Sequence, residues 1–374
     1  MANLLNYLDW RGDISFEEVS FNKIDALVLA QISYILIYDL VSPDFDKSKT
    51  LKQLAEDFKA DKDFEKRRQT GYVINKKTPE VLLKAAATKR FANVKITGLQ
   101  EIFSKEEVEQ FAAMTYLIDD KVIVSFRGTD DTLIGWKEDF NIVWQDQIPA
   151  QRDALIYLEN VSKAFKGKIS ILGHSKGGNL AVYTAVKSSD KIKNRLETIY
   201  NFEGPGFSKE FFQTKEFKKI ENKLINIYPE LSLVGMIFHH PEKYQIVESD
   251  GFAVMEHDAL TWQIMGSDFI SKPDFKDESK FFHKAFNEWV ESLSKEQTKA
   301  FVTALWDVIM ATDTENLTDM QKNPLLSGAK MFACMTSFDK NTKTEVKKIM
   351  DLLRTIVFKG TSLGKAFILK AAKA

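Results

Sequence analysis

The chain has 374 residues, 44% hydrophobic and 28% charged, with 52 basic residues against 53 acidic ones and a net charge of -1. That make-up excludes a disordered chain, leaves room for one large domain with additions, and gives no bulk electrostatic pull toward nucleic acid or anionic membrane. The single cysteine, Cys334, excludes an intrachain disulfide and a cysteine-rich metal site, so a cytoplasmic protein with neither metal nor organic cofactor is expected.

Residues 1–110 read as mainly helical. The start has no basic stretch leading into an apolar run, so it does not read as a secretory signal. Helical apolar spacing marks Asp25 to Leu40, where Gln31, Ser33 and Asp39 favour a buried core helix over a membrane anchor. No stable membrane insertion is expected. Further helices are predicted over Lys49 to Phe58 and over Pro79 to Ala87, where the proline suits a first turn.

The texture then changes. Ala113 to Ile118 and Val122 to Phe126 are short β-branched runs split by Asp119-Asp120-Lys121, the pattern of two strands and a tight turn. Helix and strand alternate afterwards: helix Ala150 to Phe165, strand Lys168 to Leu172, helix Gly177 to Lys187 and strand Thr198 to Phe202. Two more strands, Leu224 to Tyr228 and Tyr244 to Val247, follow. Such alternation predicts a parallel sheet with helices on both faces, and its strand ends are where sites form. A short helix is predicted over Ala259 to Met265. Beyond about Pro273 amphipathic helices take over, around Phe281 to Leu293, Thr298 to Met310 and Lys340 to Phe358. The layout expected is therefore a domain over 1–273, with its sheet core in 111–273, and a helical region over 274–374 that could bind a protein partner.

The chemistry concentrates at Gly173-His174-Ser175-Lys176-Gly177-Gly178, between a strand and a helix. A serine there sits on a sharp turn whose flanking glycines let strand and helix pack closely, and its hydroxyl is presented forward. The helix N-terminus aims the Lys176 amide at the charge that develops on an attacked carbonyl. Chain order in such sites is nucleophile, acid, histidine. Of the five histidines, His257 lies on the loop after the last strand of the core, whereas His239 and His240 precede that strand and His283 lies in the tail. For the acid, Glu230 directly follows the strand Leu224 to Tyr228, with Asp250 and Asp258 as rivals. Thr129, in Phe126-Arg127-Gly128-Thr129 after an earlier strand, is the second candidate oxyanion donor, with Arg127 bracing the loop.

These motifs in this order, with Trp136, Asp139 and Asn201-Phe202-Glu203-Gly204-Pro205-Gly206, resemble the class 3 (fungal-type) lipases of the α/β-hydrolase superfamily. The segments Asp9-Trp10-Arg11-Gly12-Asp13 and Pro229-Glu230-Leu231-Ser232 are similar to those of the Mbeg-like bacterial proteins. The resemblance implies an α/β-hydrolase fold with a mostly parallel central sheet, N-terminal helices and an appended C-terminal helical region. It also implies a triad of Ser175, His257 and an acid near Glu230, with Thr129 and Lys176 as oxyanion donors. Two positions depart from the lipase pattern: Pro-Glu-x-Ser stands where lipases carry aspartate before x-Val-Pro, and Lys176 replaces a leucine. The lysine places charge beside the serine and disfavours a greasy acyl chain there. The function expected is hydrolysis of a small or lipid-like carboxylic ester, against the alternative of a hydrolase-fold binding or regulatory protein with little turnover.

Overall fold

A computed structural model describes residues 2–347 of the chain, apart from Tyr72, Asn341 and Glu345. The expected helix Lys340 to Phe358 lies largely outside the described residues. Eleven strands are found among them: β1 (Lys49–Thr50), β2 (Lys95–Ser104), β3 (Glu109–Ile118), β4 (Lys121–Phe126), β5 (Ile169–His174), β6 (Leu196–Phe202), β7 (Leu224–Pro229), β8 (Gln245–Val247), β9 (Ile264–Met265), β10 (Asp268–Phe269) and β11 (Ser271–Lys272). Nine form one sheet in the order β1-β2-β3-β4-β5-β6-β7-β8-β11, and β9 and β10 pair separately. From β4 to β8 every pairing is parallel. The flanks, β1 to β4 on one side and β8 with β11 on the other, are antiparallel.

Alternation along the strands divides two cores. Val122, Val124 and Phe126 of β4, with Ile169 and Ile171 of β5, face the helices Pro149–Ala164 and Lys176–Lys187. Ile123 and Leu172 face the other way, onto the N-terminal helices, as do Tyr200 and Phe202 of β6. The first 94 residues thus supply a complete helical layer. Arg90 and Asp25 form an ion pair within it, both side chains wholly buried, with the Tyr7 hydroxyl donating to the same carboxylate at 2.8 Å. Such a pair is tolerated because every charged oxygen and the guanidinium are hydrogen-bonded.

Three elements differ from expectation. The helix begun at Lys23 stops at Ile32, where the Ser33 hydroxyl donates to the Ala30 carbonyl and the chain turns, sending Tyr34 toward the sheet edge. Strand β2 is not evident from alternation because its register shifts between Thr97 and Gln100, around Gly98 at φ 64°. Over the expected helix Ala259 to Met265 the chain makes a single 3-10 turn, Ala259–Thr261, before β9. C-terminal to the sheet, helices Asp277–Glu291 and Lys295–Met310 cover the end of the sheet at which β4 to β7 finish.

Candidate active site

Ser175 follows β5 directly and precedes the helix Lys176–Lys187, with φ 58° and ψ -134°. A serine at positive φ is strained, and the surroundings impose it. Its amide donates to the Phe202 carbonyl of β6 at 2.9 Å. A Cβ on Gly173 would lie 2.1 Å from the Gly177 carbonyl, and one on Gly177 would lie 2.1 Å from the Phe126 oxygen, so helix, β4 and β5 approach too closely for any other residue.

His257 ends the 3-10 turn Ala253–His257. Its Nδ1 lies 2.7 Å from Oε2 of Glu203, a wholly buried carboxylate in the loop after β6. A carboxylate only accepts, so Nδ1 carries the proton and Nε2 is left with a lone pair. The other oxygen of Glu203 accepts from the Ser232 hydroxyl at 2.6 Å. Glu203 itself is at φ 51°, its amide held by the Ile227 carbonyl of β7.

The acid on His257 is therefore Glu203, and the expectation of Glu230 is corrected. The Glu230 carboxylate lies 3.6 Å from the Lys276 ammonium, and its carbonyl accepts from the Lys276 amide at 2.8 Å, tying down the start of the Asp277–Glu291 helix. In the Pro-Glu-Leu-Ser segment it is the serine that reaches the site. Asp258, an expected rival, accepts from the Asn75 amide at 2.5 Å and caps the turn at Leu260. Burial raises its pKa. The side chain of Asp250, the other rival, takes no part in the His257 bond.

His174, next to the serine, supports the site from below. Its Nε2 lies 2.9 Å from the His257 carbonyl, which can only accept, so Nε2 is protonated and Nδ1 accepts from the Tyr34 hydroxyl at 2.9 Å. Burial and the neighbouring His257 hold its pKa well below the ordinary value, which keeps it neutral. The two imidazoles overlap at 4.7 Å between centroids. Sequence order alone had given His174 no part in the site; the truncated N-terminal helix that delivers Tyr34 makes one.

Gly128 and Thr129 follow β4 against the serine: a Cβ on Gly128 would be 3.1 Å from that of Ser175. Arg127 braces the loop through Glu101 at 2.6 Å, as expected. The Thr129 hydroxyl donates to Asp139 Oδ2 at 2.5 Å, leaving its amide free of that bond. Burial pushes Asp139 up to about 6, with the Lys176 charge and the Thr129 hydrogen bond acting the other way. The Lys176 side chain departs from its expected effect. It is buried, turns away from the serine, and gives its ammonium to Glu138 at 2.8 Å and to the carbonyl and side chain of Gln110 at 2.7 and 2.9 Å. Its charge is matched, so the space beside Ser175 can be apolar.

That space is a cavity of about 460 Å³. Ser175, His257 and Thr129 line its floor, while Phe286, Trp289 and Phe301 of the C-terminal helices form much of its wall. No helix among the described residues is long and apolar enough to cross a membrane.

Strand order, a strained serine between β5 and its helix, and a buried acid on a histidine after the last parallel strand define a chain of the α/β-hydrolase class. Within it the chain belongs to the Mbeg1-like family, whose family model matches residues 85–307. Among solved structures it is similar to the M37 lipase, at 16% identity and a TM-score of 0.34, over 58% of this chain and 70% of that one. It is also similar to the native Rhizomucor miehei lipase propeptide complex, at 13% identity and a TM-score of 0.30, over 53% of this chain and 66% of that one. No curated protein matches the chain.

Proposed function

We propose that the chain is a serine hydrolase of carboxylic esters. The observation that carries this reading is the 2.7 Å bond from buried Glu203 to His257, in the same cavity as a serine held at positive φ. Ser175 Oγ attacks the acyl carbon while His257 Nε2 takes its proton, and Glu203 stabilises the imidazolium that results. The amides of Thr129 and Lys176 receive the oxyanion; the latter is the first amide of its helix and outside the helical ladder. His257 returns the proton to the leaving alcohol, and water then releases the acyl group by the same steps in reverse roles.

A fluorophosphonate probe tests the reading. The unaltered chain is expected to label and Ser175→Ala to remain unlabelled. Equal labelling of the two, or none in either, overturns the hydrolase and leaves the cavity as a binding site on a hydrolase scaffold.

A further inference from the structure

The helix Lys23–Ile32 contributes one residue to the cavity that the chemistry above does not use. Gln31 is 3% exposed, lines the cavity, and its side-chain nitrogen Nε2 has no hydrogen-bond partner. Its carbonyl accepts from the Tyr34 amide at 3.2 Å, and the Tyr34 hydroxyl would be 2.1 Å from a Cβ on Gly128, so the end of this helix meets the reactive end of the cavity. Across that end, Asp139 Oδ1 is also buried without a hydrogen bond, its nearest cation being the Lys176 ammonium at 3.9 Å. A buried polar atom without a hydrogen bond is costly in the free protein and is satisfied by a ligand of the opposite character.

An unmatched donor and an unmatched acceptor suit a hydroxyl, which accepts from one and donates to the other. The charges around the cavity select further. Among the described residues Lys176 is the one lysine or arginine lining it, and Glu138 neutralises it, while Asp139 and Asp258 are both acidic. A phosphate or carboxylate head group would find no free cation among them and two carboxyls nearby. Volume limits the rest. At roughly 30 Å³ for each heavy atom, taken from the share of a water molecule in the liquid, 460 Å³ holds about fifteen heavy atoms, which is one chain of about eight or nine carbons with a small head, and not three chains.

We infer that the cavity takes an uncharged monoester of a polyhydric alcohol with one apolar chain, whose free hydroxyl is held by Gln31. The inference rests on the hydrolase reading for its chemistry and on Gln31 for its specificity. The chain lies against Phe286, Trp289 and Phe301, and the alcohol lies between Gln31 and Asp139.

The test uses the full chain and a probe that cannot be hydrolysed, 1-O-octylglycerol, with binding measured by calorimetry. Gln31→Leu is expected to weaken it about tenfold, while binding of octyl methyl ether, which lacks hydroxyls, stays within twofold. Thermal stability of Gln31→Leu is expected to hold or rise, because an unmatched amide is removed; a purely structural glutamine would lose stability instead. On the unaltered chain, 1-O-octylglycerol 3-phosphate is expected to bind at least tenfold more weakly than the glycerol ether, and this comparison stands even if the variant does not fold. Equal binding of the two ethers' head groups, or an unchanged affinity in Gln31→Leu, overturns the inference and leaves the hydrolase untouched. Absence of fluorophosphonate labelling with these preferences intact overturns the hydrolase and leaves the ligand class standing.

Discussion

Glu203 and Glu230 stand at the ends of adjacent strands, and converting each to glutamine separates a group that orients the histidine from one that anchors a helix. Glu203→Gln keeps the shape but reverses which partner must donate, so His257 is driven to the wrong tautomer; kcat for an activated ester is expected to fall on the order of 10³- to 10⁴-fold. Glu230→Gln should leave kcat within a few-fold, since only its 3.6 Å contact with Lys276 changes and Lys276 keeps its closer partner Glu256. A larger loss in Glu230→Gln than in Glu203→Gln would return the assignment to Glu230. Asp139 offers a test by pH. Its value of about 6 lies above the ordinary 3.8, so the folded chain holds this proton more tightly than the unfolded chain does. Its contribution to stability is greatest below about pH 4, declines as pH rises toward 6, and stays at its lowest above. Asp139→Asn, which still accepts from Thr129, is therefore expected to gain up to roughly 3 kcal/mol over the parent at pH 7 and to lose that advantage near pH 4, read from denaturant unfolding at both values.

Among the elements, the elbow was the most legible in the sequence because its constraints are local: strand, glycine, serine, glycine and helix are consecutive, and the short contacts of Gly173 and Gly177 explain each letter. The acid was less so. Glu203 ends a parallel strand in the same way that Glu230 does, and nothing in the residues around either says which one a histidine 54 positions downstream of the first will meet. That choice is made by the loop after β8, whose path brings His257 over β6. The reach of Tyr34 to His174 was hidden for a similar reason, since the apolar spacing continues past Ile32 although the helix does not. Strain at the elbow gives a prediction of its own. Ser175→Gly removes a side chain from a backbone conformation that costs on the order of 1–3 kcal/mol. The variant is expected to be inactive yet to unfold at higher denaturant than the parent, whereas a lower midpoint would mean that the turn is relaxed as it stands.

Across the whole molecule, the cavity is enclosed by segments that are remote in sequence: Ile74 and Asn75 from the N-terminal layer, Thr129 and Asp139 from the loop and helix after β4, and Val302 and Leu305 from the C-terminal helices. Composition and periodicity announced each piece as core or amphipathic surface, but not that the tail would wall the site, because a helix with one apolar face does not name what it covers. If the tail sets the length of chain admitted, Val302→Phe should lower kcat/KM for an octanoyl ester at least tenfold while a butanoyl ester stays within about twofold. A uniform loss on both would place the substrate elsewhere.

The bond from Asn75 to Asp258 joins the N-terminal layer to the very turn that carries His257. Because synthesis runs from the N-terminus, Ser175 leaves the ribosome more than eighty residues before His257, and the wall of Phe286, Trp289 and Phe301 follows later still. If the chain is the hydrolase proposed, it stays chemically silent during its making until the segments around Asn75, Ser175 and His257 have found one another.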